Sequence, residues 1–518
     1  MKPAKMMLTI ATSLVAALMV SGLAAQQQPK AEKPRYALID LGTFGGPDSG
    51  NNSPSMILTN EGTVTGVADT AVPDPYAPNC FAPECFVQHA FQWQDGKMTD
   101  LGALPGGFSS YTNGINSDGQ VVGQSQNGLI DSVTGVPEFV AAVWQDGRVL
   151  DLGTFGGGFS LATANNNQLV VGCAFNDVLD SFTPTGVFYG LGIEPRQLRA
   201  FQWQGLQLRD LGTLGGPDAC AVWINDRGQI VGASFTNPTV NPATGLPTLD
   251  PFLWEHGTML DLGTLGGSVG LANMINKRGQ IIGQSSLATN PGACLTFLAP
   301  GCHGFLWQRG TINDLRTLGG NVSSANWLND KGEVVGFATT SGDQLIHASL
   351  WRNGVITDLG TLAGDCFSVA LAINSEGQIV GQSFSCDFRT ARAVIWDKGV
   401  PLDLNNLVSP GAGLQLTEPK IINDDGQMVA SGLLPNGDLH SVVLIPCEGD
   451  HVDDENCREA SSVLPASTRV ALEAGTERPP TMTKGDRRFS LRPGEALERL
   501  RARWTERYHI PSPRAPRN

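Results

Sequence analysis

The sequence predicts an all-β fold: a β-propeller of about eight four-stranded blades, closed by strands from its N- and C-terminal ends. Three observations predict it. A motif written in full as Asp261-Leu262-Gly263-Thr264-Leu265-Gly266-Gly267 keeps recurring, with Asp-Leu pairs starting at 40, 100, 151, 210, 261, 314, 358 and 403. The spacings run from 44 to 60 residues, the size of one small sheet. Between copies the same four elements follow in the same order, and the two ends of the array carry partial repeats that complete each other.

Strand A ends in a turn such as Ile115-Asn116-Ser117-Asp118-Gly119-Gln120, copied at 224–229, 275–280, 373–378 and 422–427. Asn caps such a turn with its side chain, and Gly supplies the positive φ that other residues resist. Strand B reads Ile230-Val231-Gly232 or Ile379-Val380-Gly381. Its β-branched pair favours strand, and its Gly predicts a close backbone approach or a bulge. Strand C carries Ala90-Phe91-Gln92-Trp93, with later copies around Trp144, Trp203, Trp254, Trp307, Trp351 and Trp396. One large aromatic per repeat is core usage, filling the space between stacked sheets. A tight turn (Gln94-Asp95-Gly96, Arg352-Asn353-Gly354) then leads to strand D, which ends in Asp-Leu-Gly.

The chain enters the array on an isolated D strand at 36–42 and leaves it after an A-B-C set at 421–422, 428–433 and 440–445. Joined, they make one more blade and remove an exposed sheet edge. An open β-solenoid, and a seven-bladed ring with one repeat outside it, are the competing architectures.

Composition sets the surroundings. With 63 Gly, 32 Pro and 16% charged residues, 518 residues suit a turn-rich β protein. A net charge of −15 argues against nucleic acid as a partner, which requires clustered Lys and Arg. Lys2 and Lys5, the apolar run 6–20 and the small residues 21–25 read as a secretory signal peptide, 1–25, with an uncleaved anchor as the competing reading. A polar linker spans 26–35, and the propeller 36–446. No later stretch is apolar for long enough to cross a membrane as a helix. The expected location is secreted, periplasmic or extracellular.

Ten cysteines suit an oxidising compartment. Local pairing is expected for Cys80–Cys85, Cys294–Cys302, Cys366–Cys386 and Cys447–Cys457. Cys173 and Cys220 are left to pair or to stay as buried thiols. The spacing lacks the paired C-x-x-C of a zinc site, and neither metal nor cofactor is expected.

Gln88-His89-Ala90-Phe91-Gln92-Trp93, the Ile-Asn-x-x-Gly-Gln-Ile-Val-Gly turn and Asp-Leu-Gly-Thr-Leu-Gly-Gly, in fixed order over about 36–446, resemble the HAF-repeat family of bacterial extracellular repeat proteins. The resemblance implies export and a propeller-like fold, and it carries no catalytic residues. His-Ala-Phe is complete only at 89–91; the first position is elsewhere His303, His347, His440, Arg199 or Arg392, and Val140 or Asp250 in two repeats.

A histidine written into half the blades reads as structural, with a hydrogen bond to the neighbouring blade as its expected use, rather than as a single general base. The Asp-Leu-Gly aspartates read as caps of the D–A turn rather than as calcium ligands, because each motif offers one carboxylate where a calcium loop needs several. The B–C loops are long in blades 1 to 5 (about 70–88, 126–139, 174–198, 235–250 and 286–302) and short in blades 6 to 8. Function concentrates on long loops held by a rigid scaffold. Tyr76, Phe81, Phe86, Phe182, Phe188, Tyr189 and Phe297 are therefore the candidate contact residues, with packing of their own loops as the plain alternative.

Residues 447–518 read as a low-order tail with a short helix at 494–509, in which Leu497, Leu500, Trp504 and Tyr508 share one face among arginines. Its two readings are a solvated end and a helix that docks on the anionic envelope. The expected function is a non-catalytic exported propeller that binds a protein or glycan on its long-loop face. The competing reading is an extracellular hydrolase or lyase acting on polysaccharide or peptide at the channel mouth.

Overall fold

Each repeat folds as one four-stranded antiparallel blade in the order A-B-C-D, and eight such blades form among the described residues, blades 2 and 3 and blades 4 and 5 each being joined by a single parallel bridge. The computed structural model describes residues 36–51, 55–77, 85–180, 182, 195–296, 298–408 and 413–447. The expected signal peptide, linker and tail helix lie outside them.

Blade 8 has the predicted mixed origin. Its D strand is Tyr36–Asp40, paired antiparallel with C strand Leu439–Pro446; B strand Met428–Leu433 and A strand Gln415–Ile422 complete it. The register sets Leu38 against Leu444 and Asp40 against Val442. Both ends of the array therefore share one sheet, which gives the eighth blade its fourth strand.

The pattern of burial follows from position in the blade. B strands are covered on both faces by adjacent blades, so Ile230–Phe235 is buried throughout. D strands form the outer edge, and Thr258–Asp261 is largely exposed. The C–D turns place Asp95-Gly96 and Asn353-Gly354 at positive φ, the two-residue hairpin whose twist matches its strands.

The B-strand glycine answers to a bulge in strand A. In blade 5 the A–B register shifts between Ala272 and Met274, which drives the Leu271 carbonyl towards Gly283. A Cβ on Gly283 would lie 1.9 Å from that oxygen, so only glycine fits.

Behind this bulge the A strands fill the axis of the ring. Trp223 (blade 4) and Trp327 (blade 6) meet edge to face with centroids 5.7 Å apart. They come from blades that are not neighbours, so their contact lies at the axis, and Met274 of blade 5 belongs to the same buried cluster. This apolar layer plugs the ring on the side of the A–B turns.

A polar ring surrounds it. The Asn of each A–B turn does two jobs. Its Oδ1 accepts from its own turn, as Asn276 does from the N–H groups of Arg278 and Gln280 at 3.0 Å. Its Nδ2 donates to the turn carbonyl of the next blade. The links run Asn116 to Asn166, then Asn225, Asn276, Asn329, Asn374, Asn423 and finally Thr59, at 2.9–3.1 Å. Blade 1 has Thr59 where the Asn would be, and there the Ile115 N–H donates to the Met56 carbonyl instead.

Candidate ligand-binding face

The D–A turns and the B–C loops share one face of the ring. The turns are fixed by their aspartates: in all eight Asp-Leu motifs Oδ1 accepts from the backbone N–H two residues on, at 2.7–3.0 Å. The residue opening the Ala-Phe motif, or its equivalent, then reaches the same aspartate from strand C. The pairs are His89–Asp100, Arg199–Asp210, His303–Asp314, His347–Asp358, Arg392–Asp403 and His440–Asp40, at 2.8–3.5 Å. The principal partner of these histidines is thus in their own blade, although His89 Nε2 also donates to the Phe108 carbonyl of blade 2.

His440–Asp40 is the pair that joins the two ends of the array. Burial works to lower the His440 pKa, but the hydrogen bond and charge of Asp40, with Asp438 and Asp48 beyond, hold it above the ordinary imidazole value. A raised folded-state value stabilises fully below the unfolded pKa of about 6.5 and is lost as pH rises through the folded value. The stability deficit of His440→Gln against wild type, read by denaturant unfolding, is expected to be largest in mild acid, on the order of 1 kcal/mol, and to shrink as the pH is made alkaline. Asp100 and Asp314 titrate the other way. Burial opposes their charge, but hydrogen bonds from His89 and His303 hold them below the usual carboxylate range. Their contribution is present above about pH 4 and fades as pH falls further.

The long loops are tied across blade boundaries. Tyr76 of the blade 1 loop packs edge to face on Phe108 of blade 2, with centroids 6.1 Å apart. Asp131, in the loop of blade 2, accepts from Arg196 of blade 3 at 3.0 Å, with both side chains almost wholly buried. Burial would raise the Asp131 pKa, but hydrogen bonds from Thr134, Arg196 and Val133 hold it low. Phe182 of the blade 3 loop packs against Phe235 of blade 4. Asn241 of the blade 4 loop donates to Ser268 of blade 5 at 2.7 Å.

Disulfides add to this. Cys173 and Cys220 pair, stapling strand B of blade 3 to strand A of blade 4. Cys294–Cys302 closes the blade 5 loop, and Cys366–Cys386 joins strands A and B of blade 7. Cys85 and Cys447 are also disulfide-bonded, and their expected partners Cys80 and Cys457 lie outside the described residues.

Of the aromatics chosen from sequence, Tyr76 and Phe182 lean on the next blade and Phe86 sits opposite Pro73 at the base of its hairpin. Phe81, Phe188, Tyr189 and Phe297 lie outside the described residues. Apolar residues that sequence reasoning missed are also exposed on this face. In blades 1, 2 and 3 strand B runs past a bulge, Asp69/Pro73, Gln126/Ile130 and Phe175/Leu179, and overhangs the sheet. The overhangs expose Val72, Leu129, Ile130, Val178 and Leu179, with Leu129 at 60% and Leu179 at 72%. The available signal was the aliphatic pair in Asn127-Gly128-Leu129-Ile130 and in Asn176-Asp177-Val178-Leu179.

Among the described residues no helix is long and apolar enough to cross a membrane. No family model and no curated protein matches the chain. Similar solved structures include a gluconolactonase from Xanthomonas campestris (12% identity, 48% of this chain and 78% of that one, TM-score 0.25). Others are a puromycin-hydrolyzing peptidase from Mycobacterium tuberculosis (12%, 79% and 61%, 0.37) and TolB from Acinetobacter baumannii (13%, 64% and 80%, 0.29). Likeness at this level says nothing of what this chain binds or does.

Proposed function

We propose that this chain is an exported, non-catalytic binding propeller whose ligand, a protein or a glycan, docks on the long-loop face over blades 1 to 4. The observation that carries the reading is the row of exposed aliphatic overhangs at Val72, Leu129–Ile130 and Val178–Leu179, beside loops already anchored to the following blade. Apolar groups held in water by a fixed scaffold favour a partner that covers them, and a preorganised surface loses little entropy on binding. The structural use of His89, His303, His347 and His440 supports a binding role over a catalytic one. The signal-like N-terminus and the resemblance to HAF-repeat proteins agree with export.

The test is glycan-array and envelope pull-down binding by the wild type and by a variant carrying Leu129→Ser, Ile130→Ser, Val178→Ser and Leu179→Ser. Saturable binding that the variant weakens at least tenfold, with an unchanged melting curve, is the expected result. Undiminished binding by the variant would move the site elsewhere. Absence of binding together with turnover in a hydrolase screen would favour the enzyme reading.

A further inference from the structure

Six blades pair the aspartate of the D–A turn with a histidine or arginine two residues before the strand C Phe or its equivalent. Blade 4 places Asp250 there, against Asp261. The register confirms the equivalence: Phe252 lies opposite Asp261 as Phe91 lies opposite Asp100. A second acid thus stands where the repeat elsewhere supplies the cation.

Two further observations bear on this pair. Asp250 is 9% exposed, and its buried Oδ1 has no hydrogen-bond donor among the described residues. Burial, with the charge and hydrogen bond of Asp261, pushes its carboxyl pKa up to about 7, so the buried pair calls for a proton or a cation between its oxygens. The backbone also offers an acceptor. The carbonyls of Phe108 and Pro217, each in the blade that follows, accept from His89 and Arg199 respectively. The corresponding residue after blade 4 is Ser268.

We propose that Asp250 and Asp261 form a calcium site on the outer rim of the loop face, in which the ion takes the role played by His or Arg in the other blades. Asp is shorter than either, so its carboxyl leaves room for a small ion rather than for an imidazole or guanidinium. Two carboxylates match a divalent charge, and hard oxygen ligands suit calcium. No third acidic or histidine side chain joins them among the described residues, so backbone carbonyls and water complete the shell. Such a sparse site belongs with weak extracellular ones, with a Kd on the order of 10⁻⁴–10⁻³ M.

The experiment is calcium titration of the chelator-treated full chain near neutral pH, by calorimetry and thermal shift, with magnesium as the comparison ion. Wild type is expected to bind one calcium ion per chain, and more tightly than magnesium. Asp250→His restores the His–Asp pair of the other blades, and it is expected to lose calcium binding while melting no lower than wild type. Asp250→Asn provides a second variant of similar volume should the first fold poorly. Asp151→Asn in blade 2, where the facing residue is Val140, is expected to leave calcium binding unchanged. No binding by wild type up to about tenfold above that Kd range, or binding undiminished by either Asp250 variant, overturns the proposal.

Discussion

Deleting residues 36–41 is expected to abolish the cooperative melt of the chain and to leave it aggregation-prone. The segment is short but almost entirely internal: Tyr36 is 1% exposed, Ala37 2%, Ile39 7% and Leu41 8%. Burying Tyr, Ile and Leu contributes about 1.5–3 kcal/mol each, so the strand accounts for roughly 4.5–9 kcal/mol, a large part of typical net stability. The deletion also removes the hydrogen-bonded partner of Leu439–Pro446 and the Asp40 carboxylate that faces His440. An unpaired strand edge then faces solvent and can pair with another chain. Thermal unfolding and light scattering read the result. An unchanged melting temperature with a monomeric chain would mean that the ring is not closed through this strand.

Asn276→Asp is expected to destabilise the chain by about 3 kcal/mol at neutral pH, as much as or more than Asn276→Ala. Asn276 is 4% exposed and bonds in both directions, accepting from Arg278 and Gln280 and donating to the Asn329 carbonyl of the next blade. Alanine loses the cap and leaves that carbonyl without its donor. Aspartate keeps the cap but turns an anionic oxygen towards the carbonyl. The two variants separate with pH. Below the carboxyl pKa the protonated acid can donate again, so the deficit of Asn276→Asp shrinks in acid and that of Asn276→Ala does not. Denaturant unfolding at two pH values reads this. A capping role alone would cost Asn276→Ala about 1 kcal/mol and Asn276→Asp little, with neither loss depending on pH.

The architecture was legible because the elements repeat: Asp-Leu marks each blade's outer strand, and an orphan D strand at one end matches an orphan A-B-C set at the other. The turn cap of Asn116 could be read from local chemistry. Its second bond, to the Asn166 carbonyl, could not, because it depends on how adjacent blades are set against each other. The same limit hid the plug. Trp223 and Trp327 look like ordinary strand residues until the bulge beside the B-strand glycine turns them to the axis. On the loop face, Tyr76 and Phe182 are half-buried and lean on the next blade. Large flat rings do most for stability where they can pack, and both pack on a neighbouring blade. Aliphatics on the bulged overhangs are left in water, and the bulges depend on strand pairing rather than on composition.

These features make one account: a ring closed by its own two ends, stapled blade to blade, presenting a fixed face of anchored loops. Native-state hydrogen exchange across residues 36–40 tests it most directly. The account predicts that these amides exchange as slowly as those of Ile230–Phe235 in the middle of the array, because opening the closure opens the ring. Rapid exchange at 36–40, with the other blades still protected, would contradict it.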